Sequence, residues 1–461
     1  MRLSSATLAQ LRPDVARPAY DRAAQATGIV HLGIGAFHRA HQAVFTDDAM
    51  AAGDRDWAIT GVSLRSPQVR DTMVPQDGLY SVTTRGGPSG DEIRIIGAVR
   101  DVIVAPENPG ALAATLAAAS TRIVTLTVTE KGYLRGPDGR LDLDAAHRGQ
   151  TIYTILATAM RARRLSGIGG LTILSCDNLA DNGRVLGELL QTYCERHAPE
   201  EAAWFARECA CPSTMVDRIV PATQESDYAS AAERLGLRDE AAVVTEPFRQ
   251  WVIEDRFATP RPGWDRVEAE MVDDVRPYET AKLRMLNGAH SALAYLGLAA
   301  GHSYVHQAVA DPALFPLVER LMRVEAARTI AAALGQDLDA YADALLARFR
   351  NTALPHRLAQ IAMDGSQKIG QRWLESLTVN RARGQDCPAT LTALAAWIIH
   401  VRGDNGPVDD PMAEQLNAIW GKAGRESIAA ALFGAGGLFA SHWTASEQDL
   451  QVLTDLIAAR R

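Results

Sequence analysis

The chain has 461 residues, 47% of them hydrophobic and 22% charged, the profile of an ordinary globular protein with a sizeable core, which excludes disordered and collagen-like classes. That length accommodates two large domains or about three average ones. A net charge of −8 leaves no basic footprint for nucleic acid or an anionic membrane, so the expected partner is a small molecule or another protein.

The opening stretch MRLSSATLAQLRPDVARP carries no apolar run ahead of a small-residue cleavage site, so no secretory leader is expected. The longest apolar runs, around 292–300 and 428–440, fall short of the roughly 18 residues of a membrane span. A soluble, cytoplasmic protein is the expectation. Cys176, Cys194, Cys209, Cys211 and Cys387 include no CxxC pair, which argues against a disulfide framework or a zinc ribbon and for reduced structural thiols.

In chain order, IVHLGIG (29–35), WAITGVSL (57–64), RIVTLTV (122–128) and LTILSC (171–176) are compact apolar runs bounded by turn residues, as strands buried on both faces are. Helical patterns over 109–119, 150–164 and 184–197 lie between and after them. The alternation predicts an α/β fold with a Rossmann-like, doubly wound, mostly parallel sheet. After RPGWDR (261–266) strand signals fade and Ala/Leu-rich helical patterns run to the end, so the Pro/Gly punctuation marks a boundary. The expected organisation is an extended dinucleotide-binding domain over 1–271 and a mainly α-helical domain over 272–461.

The first strand leads into IVHLGIGAFHRAHQ, with Gly33 and Gly35 at GxG spacing before a helix. Glycines suit such a turn because the backbone bends tightly and must approach a pyrophosphate, whose charge is met by N–H groups at the helix start. Gly33, Gly35, Ala36, Phe37 and His38 are therefore the candidate cofactor-binding set, against the alternative of an ordinary strand-to-helix turn. His38 occupies the third glycine position, so the fingerprint is incomplete. His38 and His41 are three residues apart but have no third ligand nearby; a supporting or phosphate-side role is expected for them, and no metal site. After the second strand, where an acid normally grips the adenosine ribose, the chain reads SLRSPQ. Arg65 in that position leans toward a 2′-phosphate, that is, NADP.

The stretch YETAKLRMLNGAH (278–290) sets Glu279, Lys282, Asn287 and His290 in an otherwise apolar helical pattern. At about 100° per residue the four share one arc of roughly 140°, with Leu283 and Leu286 on it as well. A desolvated lysine there has its pKa pushed down and serves as a general base. Asn287 can donate to a developing oxyanion, and His290 can orient or relay. The competing reading is a snorkelling lysine beside a satisfied core histidine.

At this point the motifs reach a family. GIGAFHRAHQAVF, TVTEKGY (127–133), SCDNLADNG (175–183), PSTMVDRIVP (212–221), EPFRQWVIED (246–255) and KLRMLNGAHSALAYLG together resemble the long-chain mannitol dehydrogenase family of polyol dehydrogenases. The match runs in order from about 29 to 368. The resemblance implies an active site between a dinucleotide-binding domain and a helical domain, with metal-independent hydride transfer in a monomer. It implies NAD as cofactor, whereas the missing acid after the second strand leaves NADP as the alternative.

Residue by residue, Lys282 matches the family's general base, Asn287 and His290 its oxyanion-side and accessory positions, and Asn178 a second oxyanion donor. Glu279 resembles a carboxylate connecting the lysine's proton to solvent, and Asp217 a site residue. In MDGSQKIGQR (363–372), Lys368 looks like a substrate-contacting lysine. The DGSQK wording, with Gln360 where mannitol-type enzymes tend to carry an arginine, is similar to fructuronate reductases. A sugar-acid substrate needs a cationic partner, for which Lys368, Arg372 and Arg284 are the candidates. Mannitol, arabinitol and other polyols are the alternative substrates, and a nucleotide-binding protein without chemistry is the alternative of another class.

Overall fold

The computed structural model describes residues 1–459 and divides into two compact units, Met1–Arg276 and the chain from Pro277 onward. The division thus follows Arg276, a few residues beyond the boundary expected at 271.

The first unit contains eleven strands: β1 (Thr27–Leu32), β2 (Ala58–Ser63), β3 (Tyr80–Gly87), β4 (Gly90–Ile96), β5 (Val99–Val104), β6 (Ile123–Leu126), β7 (Thr172–Ser175), β8 (Thr214–Asp217), β9 (Val243–Thr245), β10 (Gln250–Glu254) and β11 (Glu270–Val272). The main sheet has the order β5-β2-β1-β6-β7 and is parallel at every pairing. Successive side chains of a strand point to opposite faces, and both faces are covered. Val30, Leu32, Val124 and Leu126 join one core with Leu112, Leu156 and Leu186 from the helices Pro109–Ala117, Ile152–Leu165 and Asn182–His197. Ile29, Ile59 and Ile123 join another with Val44 and Phe45 from the helix Gln42–Ala51. Burial on both faces explains why these strands read as continuous apolar runs.

Two smaller mixed sheets complete the unit. In β4-β3-β9, β3 and β4 form an antiparallel hairpin while β9 runs parallel to β3. In β11-β10-β8, β10 is antiparallel to β8 and parallel to β11.

Among its described residues the regular elements of the second unit are all helices. Its central helix, Gly288–Ala299, buries Ala289, Ala292, Leu293, Ala294, Tyr295 and Leu296, as a helix surrounded by others must. The helix Pro388–His400 packs beside it and is buried along most of its length. Glu325, fully buried, accepts from the N–H groups of Ala389 and Thr390 at 3.0 and 2.8 Å and from the Thr390 hydroxyl at 2.7 Å. That carboxylate satisfies the otherwise orphaned amides of the helix start. Among the described residues three π-helical segments interrupt the bundle: Lys282–Asn287, Leu321–Ala326 and Gly370–Leu374. Among the described residues no helix is long and apolar enough to cross a membrane.

Candidate active site

The turn after β1 lies where the order of the parallel sheet reverses, the place at which doubly wound sheets open a crevice at their carboxyl ends. Gly33 sits at φ +99°, and a Cβ there would stand 2.1 Å from the Thr127 carbonyl oxygen. Glycine is thus demanded twice over, by conformation and by space. The N–H groups of Gly33 and Ile34 donate to the Val62 carbonyl at 2.9 and 3.1 Å. Gly35 precedes the short helix Ala36–Ala40, and a Cβ on it would meet only the Gly33 oxygen, at 3.8 Å. With Ala36 and Phe37 partly exposed beside it, the turn is an open backbone cradle of the kind that receives a dinucleotide pyrophosphate.

A histidine network supports this turn from below. The Thr127 hydroxyl donates to the Gly33 carbonyl at 2.9 Å, so its oxygen accepts from His31 Nε2–H at 2.8 Å, and His31 Nδ1 accepts from the Thr125 hydroxyl at 2.7 Å. Burial pushes His31 down to about 3, keeping the ring neutral. His38 takes the supporting of the two expected roles. Its ring is fully buried and stacks on His31 with centroids 3.4 Å apart and planes 13° apart. It packs against His31 of β1 at the position where a third glycine would allow close helix approach. Burial holds His38 well below the ordinary histidine range. His41 is likewise buried, pushed down to about 3, with Nε2 at 2.9 Å from the Gln250 carbonyl.

Strand β2 ends at Ser63, so Leu64, Arg65 and Ser66 form its carboxyl end with no acid among them. Arg65 is exposed. Arg70, farther on, is committed to Asp71 and Glu107. Asn178 is exposed just beyond the end of β7, and Asp217 is buried as the last residue of β8. Asn182 ties these two elements together: its amide donates to the Thr214 carbonyl and accepts from the Thr214 N–H, each at 2.8 Å.

In the second unit the lysine helix is not the uninterrupted α-helix that the 100° arithmetic assumes. An α-helix ends at Ala281, a π segment spans Lys282–Asn287, and α geometry resumes at Gly288. The Gly288 N–H reaches back five residues to the Leu283 carbonyl. In π geometry residues five apart become axial neighbours, so Lys282 and Asn287 come closer to one face than the 140° of a regular helix allows. Glu279, Lys282, Asn287 and His290 are all partly exposed, while Met285, Leu286 and Ala289 between them are buried. The His290 ring lies 4.7 Å from Phe349 and 5.5 Å from His356.

The π segment Gly370–Leu374 packs on that of the lysine. Arg372 donates to Ser291 Oγ at 2.6 Å and, more weakly, to the Asn287 carbonyl at 3.4 Å, and Trp373 Nε1 donates to the Gly288 carbonyl at 3.1 Å. One turn earlier, Lys368 Nζ donates to the Met363 carbonyl at 2.6 Å and lies 3.6 Å from Asp364. Burial, with Arg372 close by, lowers the proton affinity of Lys368; burial lowers that of Arg372 also. Arg284 is engaged with Glu375 at 3.1 Å and the Thr329 carbonyl at 3.0 Å, a charge partner closer than the one Asp364 gives Lys368. Gln360 is exposed on the helix Leu358–Ala362. Ser291, the acceptor that seats Arg372, is a residue that sequence reasoning misses. Among the described residues no cluster of three or more His, Cys, Asp or Glu side chains is arranged to hold a metal ion.

A doubly wound sheet with a glycine cradle at its switch point defines a dinucleotide-binding protein, here followed by a helical unit carrying a lysine on a π turn. The chain matches the mannitol dehydrogenase Rossmann domain over residues 27–266 and the mannitol dehydrogenase C-terminal domain over 274–443; it belongs to the mannitol dehydrogenase family of oxidoreductases. It is 39% identical to D-mannonate oxidoreductase of Escherichia coli strain K12 over 92% of this chain and 91% of the relative. To a mannitol 2-dehydrogenase of Phaeosphaeria nodorum it is 36% identical, over 91% and 77% of the two chains. The solved structure of Pseudomonas fluorescens mannitol 2-dehydrogenase, a ternary complex with NAD and D-mannitol, matches with a TM-score of 0.81 and 34% identity, covering 100% of this chain and 96% of that one.

Proposed function

We propose that the protein is a fructuronate reductase, interconverting D-fructuronate and D-mannonate with NADH/NAD. The observation that carries this reading is the cation pair Lys368 and Arg372. The two stand one helical turn apart, burial lowers the proton affinity of both, and Arg372 raises the cost of charge on Lys368. The hydrogen bonds of Arg372 go to neutral acceptors, Ser291 Oγ and the Asn287 carbonyl. A substrate carboxylate relieves such a pair, whereas a neutral hexitol leaves it uncompensated. The alternative, a mannitol or other polyol 2-dehydrogenase, draws support from Asp364, which already neutralises Lys368 in part at 3.6 Å, and from the relatives of that name.

In this reading the bound nicotinamide supplies or takes up the hydride. Protonated Lys282 donates its proton to the carbonyl oxygen as that oxygen gains charge, and in the oxidative direction the neutral amine takes the hydroxyl proton. Asn178 and Asn287 hold the same oxygen by their amide N–H groups, each donor worth a few kcal/mol in such sites. Glu279 passes the lysine's proton to solvent and His290 orients the group. Asp217 and Gln360 contact the sugar chain. NADH is the preferred carrier, and Arg65 admits NADPH as well.

The test is steady-state oxidation of NADH and, separately, NADPH with D-fructuronate, D-fructose and D-xylulose at one neutral pH. A kcat/KM for fructuronate well above that for the neutral ketoses is expected. Preference for fructose or xylulose makes the protein a polyol 2-dehydrogenase, and binding of NADH without turnover of any ketose points to a nucleotide-binding protein without chemistry.

A further inference from the structure

The loop after β6 holds a backbone conformation that its sequence does not favour. Thr129 lies at φ 64°, ψ 164°, a region natural to glycine and unfavourable to a β-branched residue. Strain of this kind persists only where the surroundings over-determine it; here the Gly132 N–H donates to the Thr129 carbonyl at 2.9 Å, and the rest of the turn is held by one carboxylate. Asp177, buried two residues beyond the end of β7, accepts the Thr129 N–H at 2.8 Å, the Val128 N–H at 3.1 Å and the Tyr133 hydroxyl at 2.9 Å. Tyr133 is itself fully buried. Gly132 completes the fold of the loop, since a Cβ there would stand 2.8 Å from Val128 Cβ. The tip, Thr129, Glu130 and Lys131, stays exposed, as does Asn178 next to Asp177.

Three donors from the loop after one strand thus converge on the second residue after the next. The carboxyl ends of β6 and β7 are joined into one rim on the side of the switch point away from β2 and β5. In a doubly wound dinucleotide-binding sheet the half carrying the glycine turn takes the adenosine side, which leaves this rim to the other mononucleotide half.

We propose that Asp177 is a positioning residue for the nicotinamide half of the cofactor, acting by holding the Thr129 turn in its strained form beside Asn178. The proposal rests on the reading of the protein as a nicotinamide-dependent reductase. An Asp177→Asn side chain offers one acceptor oxygen and turns its own N–H groups toward the loop amides, so it cannot hold the turn.

Binding of NADH and of ADP-ribose, which lacks the nicotinamide, is measured by titration calorimetry on wild type and Asp177→Asn. The expected result is an NADH Kd weakened about tenfold or more with the ADP-ribose Kd unchanged within about twofold. Adding Thr129→Gly, which accepts the same backbone without strain, is expected to recover about threefold or more of the lost NADH affinity. Equal weakening of both ligands, an unchanged NADH Kd, or no recovery in the double variant overturns the proposal. No substrate enters these measurements, so a wrong choice of ketose leaves them intact. Wild-type protein that binds neither ligand sinks the parent reading and this proposal with it.

Discussion

Gly33 and Thr127 approach so closely that the Thr127 hydroxyl reaches the Gly33 carbonyl at 2.9 Å while its own carbonyl oxygen occupies the space of a Gly33 side chain, 2.1 Å from where a Cβ would lie. Gly33→Ala must therefore move β6 or abandon φ +99°. The expected loss of stability is about 3 kcal/mol or more, with NADH binding abolished even in the fraction that folds. Thermal melting and NADH fluorescence titration check both parts; an alanine variant that binds NADH normally contradicts the cradle.

The neutral histidines beneath the turn set an acid limit. Unfolded, His31 and His41 take a proton near 6.5; folded, both are held to about 3. Below pH 6.5 the unfolded chain therefore binds protons that the folded one refuses, and stability falls as pH falls, by up to about 1.4 kcal/mol per pH unit for each histidine. Above 6.5 they contribute no slope. The urea midpoint is expected to be level between pH 7 and 8 and to drop between pH 6 and 5, a drop that His31→Gln reduces by one histidine's share. A level midpoint down to pH 5 contradicts the buried neutral network.

Lys282→Ala is expected to remove most turnover, about a hundredfold or more in kcat, while the NADH Kd stays within about twofold. Stopped-flow binding alongside steady-state rates separates the two effects. Near-normal turnover in a folded variant ends the assignment of Lys282 as the general acid/base.

What the sequence made legible follows from how each element is stabilised. The runs at β1, β2, β6 and β7 are apolar because helices cover both sheet faces, so burial alone marks them. The smaller sheets lack that mark. β9 and β11 are three residues each, β4 begins with the exposed Gly90, Asp91 and Glu92, and β3 finds its parallel partner far along the chain, Val82 opposite Val243. The π turn is hidden for a related reason: KLRMLN satisfies α periodicity, and its extra residue is seen only in the five-residue reach of Gly288 N–H to Leu283. His38 occupies a recognisable fingerprint position, but its direction depends on His31, whose ring it covers. Of the three candidate cations, only the fold shows that Arg284 is already paired with Glu375.

Arg65 stands where a ribose-gripping acid is absent, so discrimination against a 2′-phosphate is expected to be weak. The wild type is expected to use NADPH with an efficiency within about tenfold of NADH, and Arg65→Asp to lower the NADPH:NADH ratio of kcat/KM by about tenfold or more. An unchanged ratio shows that the end of β2 does not read the adenosine ribose through Arg65.

Substitution of Arg372 is the sharpest test between a sugar acid and a neutral sugar as substrate. A charge-assisted hydrogen bond contributes about 1.5–3 kcal/mol, so Arg372→Gln is expected to raise KM for D-fructuronate by roughly ten- to a hundredfold while KM for D-fructose moves by less than about threefold. Lys368→Gln, whose lysine donates to Met363 beside the same pair, is expected to weaken both substrates, the uronate more. Arg372 also seats on Ser291, so melting temperatures are measured on each variant, and Ser291→Ala serves as the control for disturbance of that seat without removal of charge. Arg284→Gln removes an arginine already paired with Glu375 and is expected to lower stability with no preference between the substrates. If Arg372→Gln affects fructuronate and fructose alike, the cation pair is part of the scaffold of the π turn, and the carboxylate reading of the substrate falls.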